Sequence, residues 1–304
     1  MIYGLLIGIY IYELISFIEN IMKILVTGAT GFIGNHIIPL LLKRGHEVIA
    51  VARTNNKALE LPWYSHVKFI SYDTHEPSGK NDFDVLGKPD ALIHLVWPGL
   101  PNYKDLFHFE NNLIADYQFI KKLVSQGLKQ VLVTGTCFEY GMVNGCLNES
   151  LPSSPDNPYA LAKDTLRKFL QSLQQETFFT LQWVRLFYMY GEGQNPGSLL
   201  AQLEIAIDRG DASFNMSGGE QLRDYLPVES VAQRIVALIE HESLNGIYNC
   251  CSGEPISVRK LVEEYIRMKK ADITLNLGFY PYPDFEPMAF WGDATKYNSE
   301  VNLR

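Results

Sequence analysis

Cysteine is scarce in this chain: Cys137, Cys146, Cys250 and Cys251 are the four in 304 residues. None belongs to a Cys-x-x-Cys pair, and neighbouring Cys250 and Cys251 could bridge only under severe strain. A disulfide scaffold is excluded, and the thiols are expected to be reduced packing residues of a cytoplasmic protein. A basic surplus is lacking too. With 26 Lys and Arg against 34 Asp and Glu the net charge is −8, which argues against a general nucleic-acid binder. No internal repeat, low-complexity tract or cluster of metal ligands is present, so no metal site is assigned. The seven histidines are scattered. His94 sits inside an expected strand, where a core histidine is the simpler reading.

Long apolar runs are lacking as well, apart from residues 1–21. That segment is nearly long enough to span a bilayer, but it carries Glu13 and no preceding Lys or Arg. It has neither the basic start nor the small-residue cleavage site of a signal peptide. Met22 stands directly before the first expected strand, so Met22 is expected to be the biological start and 1–21 an upstream extension outside the native fold. A membrane anchor is the alternative.

What is present is a glycine-punctuated turn, Lys23-Ile-Leu-Val-Thr-Gly28-Ala-Thr30-Gly31-Phe32-Ile33-Gly34. An apolar strand leads into it, and Ile33, Ile37, Ile38, Leu41 and Leu42 continue it at helical spacing. A helix start offers unpaired N–H groups and the positive end of a dipole, and glycine lets the backbone approach a pyrophosphate. The context is that of a dinucleotide-binding βαβ unit. Further strands are expected at 47–52, 67–71, 91–95, 130–134 and 180–186, with helices at 112–123 and 158–174 between the later ones. This alternation predicts a doubly wound, parallel α/β sheet of Rossmann type over residues 22–187. From Tyr188 the pattern loosens. Helices at 198–208, 230–241 and 257–268 alternate with Gly-, Pro- and Asn-rich segments, which predicts a smaller substrate-binding cap over 188–304, some of whose segments return to the first domain.

At the end of the second strand an acid would bind a ribose 2′-hydroxyl and repel a 2′-phosphate. Ala52 stands there, and Arg53 follows with a guanidinium suited to phosphate. NADP(H) is therefore favoured over NAD(H), which is left open. Asp73, just past the third strand, either contacts the adenine or caps a turn.

Tyr159 and Lys163 lie four residues apart, on one helix face. A neighbouring ammonium is expected to make the phenol more acidic, fitting it for proton transfer. Spacing alone is weak, since Tyr64/Lys68, Tyr117/Lys121 and Tyr265/Lys269 share it. Placement singles out Tyr159: Asn157-Pro158 is a strong helix start, and Thr136 lies at the end of the preceding strand, beyond which ligands of parallel sheets bind.

These motifs resemble the extended short-chain dehydrogenase/reductases, the NAD(P)-dependent epimerase/dehydratase family acting on nucleotide sugars. The likeness covers Met22 almost to the C-terminus, although the family's final helix is shortened here. It implies Thr136, Tyr159 and Lys163 as catalytic residues, with Lys163 also orienting the nicotinamide ribose. It implies cofactor contacts from the glycine turn, Leu95, Val96, Trp97 and Asn112. Tyr188, Asn195 and Arg223 are implied on the substrate side, Arg223 gripping the diphosphate, and a homodimer is expected. Family dehydratases carry Thr-Asp-Glu where this chain has Thr136-Cys137-Phe138, so a 4,6-dehydratase is disfavoured. Gly135 replaces a common serine, and Tyr188 a common asparagine. Gly135-Thr-Cys-Phe-Glu-Tyr-Gly141 and Pro283–Asp293 resemble dTDP-4-dehydro-6-deoxyhexose reductases of surface-polysaccharide pathways. The expectation is NADP(H)-dependent reduction of a nucleotide-linked 4-keto-6-deoxyhexose. A 4-epimerase is the alternative, and a non-catalytic NADP(H)-binding sensor a further one.

Overall fold

The computed structural model describes residues 21–76, 79, 81–282 and 287–301. The apolar leader lies outside them but for Ile21. So does part of the 283–293 motif. No helix of the described residues is long and apolar enough to cross a membrane.

Seven parallel strands form the central sheet: β1 (Lys23–Thr27), β2 (Glu47–Ala52), β3 (Lys68–Ser71), β4 (Ala91–His94), β5 (Gln130–Thr136), β6 (Thr180–Leu186) and β7 (Gly246–Cys250), in the order β7-β6-β5-β4-β1-β2-β3. This is a Rossmann-type, doubly wound sheet. Its strands alternate between two buried faces. Ile24, Val26, Ala50 and Ile93 pack against helices α1 (Phe32–Lys43) and α5 (Val228–Ile239). Leu25, Val51, Leu92 and Val133 pack against α2 (Leu113–Ser125) and α3 (Pro158–Leu173). Burial on both faces is why these strands read as continuous apolar runs.

Two boundaries differ from expectation in ways that matter for the site. β5 runs two residues further, to Thr136, because Gly135 and Thr136 keep pairing with Arg185 and Leu186 of β6. The residues before α2 form a π-helical segment, His108–Asn112, so Asn112 precedes the α-helix that was expected to include it. β7 was not anticipated. Its sequence, Gly-Ile-Tyr-Asn-Cys, is short and mixed, yet it pairs with β6 and completes the sheet from within the region assigned to the cap. The helices α4 (Leu199–Arg209) and α6 (Val258–Lys269) build a separate apolar cluster with Phe214, Met216 and Ile273.

The strand order reverses between β1 and β4, the switch point beside which doubly wound sheets bind ligands. Gly28 follows β1 there, Leu95 follows β4, and Thr136 ends the adjacent β5.

Candidate active site

The three glycines have distinct reasons. Gly28 has φ +69°, and a Cβ on it would lie 3.2 Å from the backbone of Leu95 and Val96. A Cβ on Gly31 would lie 3.0 Å from the Gly28 carbonyl oxygen. One on Gly34 would come within 2.6 Å of the carbonyl oxygens of Gly28 and Ala29, so Gly34 lets α1 pack closely on the turn. Gly31 is the N-cap of α1 and supplies no side-chain cap, leaving first-turn N–H groups to a ligand. This cradle fits a pyrophosphate.

The same cleft, about 400 Å³, is lined by Gly28, Gly31, Phe32, Ile33 and Gly34 at one end and by Thr136, Tyr159 and Tyr188 at the other. Asn157 caps α3 by accepting the Ala160 N–H at 2.9 Å, and Pro158 opens the helix, which sets Tyr159 in the first turn. The Thr136 side chain faces Tyr159 closely enough to oppose the upward shift of its phenol. Lys163, one turn on and buried, donates from Nζ to the Thr134 carbonyl at 2.8 Å.

The expected acidification of Tyr159 by Lys163 is overturned. Burial pushes the phenol well above its ordinary value, and the Tyr103 phenol adds to the shift against the opposing Thr136 contact. Lys163 is committed elsewhere, to the Thr134 carbonyl and the face of Trp97, 4.0 Å from the ring centroid. Burial in turn lowers the Lys163 ammonium to about 8, although the Asp116 and Glu139 carboxylates oppose that.

Other anticipated residues take definite places. Asn112 is buried and donates from Nδ2 to the Pro98 carbonyl at 2.9 Å, tying down the loop that carries Leu95, Val96 and Trp97. Arg53 is exposed at the end of β2. Asp73 caps a turn, its Oδ1 accepting the His75 N–H at 2.9 Å. His94 is a core histidine: its Nδ1 lies 2.9 Å from the Thr27 hydroxyl and its Nε2 lies 3.3 Å from Asp116. None of the four cysteines forms a disulfide, and Cys146 alone is exposed.

A second cavity, about 260 Å³, is lined by residues from Tyr188 onward and shares Tyr188 with the first. Arg223 lines it, buried and stacked 4.6 Å from the Phe290 ring centroid, and donates from Nη1 to the Leu222 carbonyl at 2.8 Å. Asp224 next to it accepts the N–H groups of Ser252 and Gly253 at 2.6 and 2.9 Å, which anchors the backbone beside Arg223. Asn195 stands apart from both cavities. Its Oδ1 accepts the Gly197 N–H at 2.7 Å, a local turn ahead of α4.

Four residues were missed. Glu139, fully buried, accepts from the Thr136 N–H at 2.9 Å, Trp183 Nε1 at 2.9 Å and Arg185 Nε at 2.8 Å. Its signal was legible, since Thr136-x-x-Glu139 is a capping box. Tyr103 and His108 lie beside the Tyr159 ring, and Trp97 was anticipated only as a cofactor contact. The fourth, Leu100, joins Tyr103 on the cleft wall.

Residues 24–251 match the NAD dependent epimerase/dehydratase family. The chain belongs to this family. It is 32% identical over 273 residues to dTDP-6-deoxy-L-talose 4-dehydrogenase (NAD(+)) of Aggregatibacter actinomycetemcomitans, covering 89% of this chain and 99% of that protein. It is 25% identical over 268 residues to dTDP-4-dehydro-6-deoxyglucose reductase of Escherichia coli, covering 82% and 83%. In fold it matches UDP-glucose 4-epimerase of Thermotoga maritima, solved with UDP-glucose, with a TM-score of 0.81 at 22% identity over 92% and 93% of the two chains. The chain is thus an enzyme of an NAD-dependent family that modifies nucleotide sugars.

Proposed function

We propose that this protein reduces a nucleoside-diphosphate 4-keto-6-deoxyhexose, a dTDP sugar, at C4 with NADP(H). The observation that carries the reading is one cleft in which the glycine cradle and the Thr136–Tyr159 pair open together. A reduced nicotinamide dinucleotide bound in the cradle supplies the hydride. As the C4 carbonyl carbon gains it, the oxygen takes the Tyr159 phenolic proton and becomes a hydroxyl. Thr136 steadies that oxygen, and solvent reprotonates Tyr159. Burial keeps the Tyr159 phenol neutral, so the proton that the forming alkoxide needs is in place on it.

The wall beside Tyr159 supports the sugar class. Cys137, Phe138 and Leu100 line it. Residues 137 and 138 offer no carboxylates for eliminating water, and Phe138 and Leu100 suit a C5 methyl group. Across Tyr188, Arg223 and its cavity suit the diphosphate and nucleoside. The names of the two curated relatives point to the same C4 chemistry on dTDP-6-deoxy sugars. The NAD(+) in one of those names makes NAD(H) the competing cofactor.

The test is incubation with dTDP-4-keto-6-deoxyglucose and NADPH, with product configuration read by NMR. Stoichiometric dinucleotide oxidation with a 6-deoxyhexose product is expected. Turnover without net oxidation identifies an epimerase instead.

A further inference from the structure

The loop after β4 and the π-helical segment 108–112 place three side chains against the Tyr159–Lys163 pair. The Trp97 ring covers the Lys163 ammonium at 4.0 Å and meets the Tyr159 ring edge-on, with centroids 6.0 Å apart. Its Nε1 lies 3.0 Å from His108 Nδ1. Indole N–H only donates, so Nδ1 must accept, and the His108 proton resides on Nε2, 2.9 Å from the Asn102 carbonyl. Both nitrogens of this buried imidazole are therefore used in its neutral form. The His108 ring also touches Tyr159, with centroids 5.4 Å apart, and Tyr103 closes the other side at 5.5 Å.

We propose that His108 is a positioning residue for the reaction. It acts through Trp97, whose indole it holds over Lys163 and against the Tyr159 ring. The inference rests on the reductase reading of this site. A ring held by one directional hydrogen bond has a single rotamer, and with it the ammonium and the phenol keep fixed positions. Protonation of Nδ1 would set a second N–H against the Trp97 donor and release the indole. The charged and titratable groups facing His108 are the Asp105 carboxylate on the preceding turn, and the Lys163 ammonium and Tyr159 phenol of α3. Burial, seconded by Lys163, holds His108 below its ordinary value against the Asn102 carbonyl and Asp105. The clamp is accordingly intact at neutral pH and opens in acid.

The test uses His108→Phe, Trp97→Phe, the double variant and His108→Gln, with steady-state kinetics and the indole N–H resonance of Trp97 in the full-length protein. His108→Phe should lower kcat about 10–100-fold while the dinucleotide KM changes less than about threefold, the size expected of misplacement rather than lost binding. Trp97→Phe keeps an aromatic face without the donor, and should lose a similar factor even where His108→Phe fails to fold. The double variant should be no worse than either single one. His108→Gln, whose amide oxygen can accept from the indole, should regain most of the turnover and lose the acid limb of the pH profile. Unchanged kcat in both single variants, with Tyr159→Phe inactive, overturns the clamp and leaves the reductase reading standing. Full turnover in Tyr159→Phe overturns both.

Discussion

The Glu139 carboxylate accepts the Trp183 indole N–H at 2.9 Å in the space that a side chain on residue 135 would enter. A Cβ on Gly135 would collide with Trp183 Nε1 and with a Glu139 oxygen at once. The serine expected at this position from the family resemblance would not fit beside these two side chains as they are placed. The space is taken by a buried anion that also accepts from Arg185 and from the Thr136 N–H. Gly135→Ser should therefore destabilise the fold by about 1–3 kcal/mol, the usual cost of overpacking. It should also cut turnover, because it displaces the backbone that leads into Thr136. Urea denaturation checks the first effect and NADPH oxidation the second. A variant as stable as the parent would show that Trp183 and Glu139 yield freely.

The pH dependence follows from Lys163. Its ammonium is lowered to about 8 by burial. Below that value the folded enzyme carries the charge that would bind the nicotinamide ribose. Above it the charge is lost, so kcat/KM should fall on an alkaline limb near pH 8. The effect on stability has the opposite sign. Between about 8 and the ordinary lysine value near 10.4 the unfolded chain holds a proton that the folded chain does not, so this group adds stability as pH rises. Lys163→Met should abolish the limb and lower activity at every pH. A limb that persists unchanged in Lys163→Met belongs to another group.

Legibility in the sequence followed the range of the forces involved. The Rossmann half was readable because strands buried on both faces announce themselves as apolar runs, and because Gly28, Gly31 and Gly34 answer to contacts within their own turn. Asn157-Pro158 fixed the α3 start through a local cap. β7 was hidden because its burial comes from pairing with β6, more than fifty residues earlier in the chain. The Tyr159 environment was misjudged for the same reason. Spacing on α3 pointed to Lys163 as its partner, but the loop residue Trp97 packs against both, and the ammonium turns to Thr134. Glu139 needed only its capping box to be noticed, and its contacts with Trp183 and Arg185 only the fold could supply.

The proposed preference for NADP(H) rests on Arg53. It is exposed at the end of β2, and Ala52 beside it leaves no carboxylate at the ribose position. Arg53→Ala should raise the NADPH KM about tenfold, as expected for a charge-assisted contact worth roughly 1.4 kcal/mol, and leave the NADH KM within about twofold. Equal KM values for the two dinucleotides in the parent enzyme would remove the NADP(H) preference.

The role proposed for Arg223 separates substrate binding from chemistry. Its guanidinium is buried, stacks on Phe290 and lies in the cavity beyond Tyr188, away from the Thr136–Tyr159 pair. Lysine keeps the charge at this position but loses both the planar stack and the forked donors that suit a diphosphate. Arg223→Lys should therefore raise the nucleotide-sugar KM about 10–100-fold, with kcat at saturation within about threefold and the NADPH KM unchanged. Tyr159→Phe should show the reverse pattern, a kcat loss of about 10²–10⁴ with KM nearly constant, since the proton it gives is needed only in the transition state. Steady-state kinetics with each substrate varied in turn separates the two. If Arg223→Lys lowers kcat as much as it raises KM, the arginine serves the reacting centre as well, and the division of labour across Tyr188 does not hold.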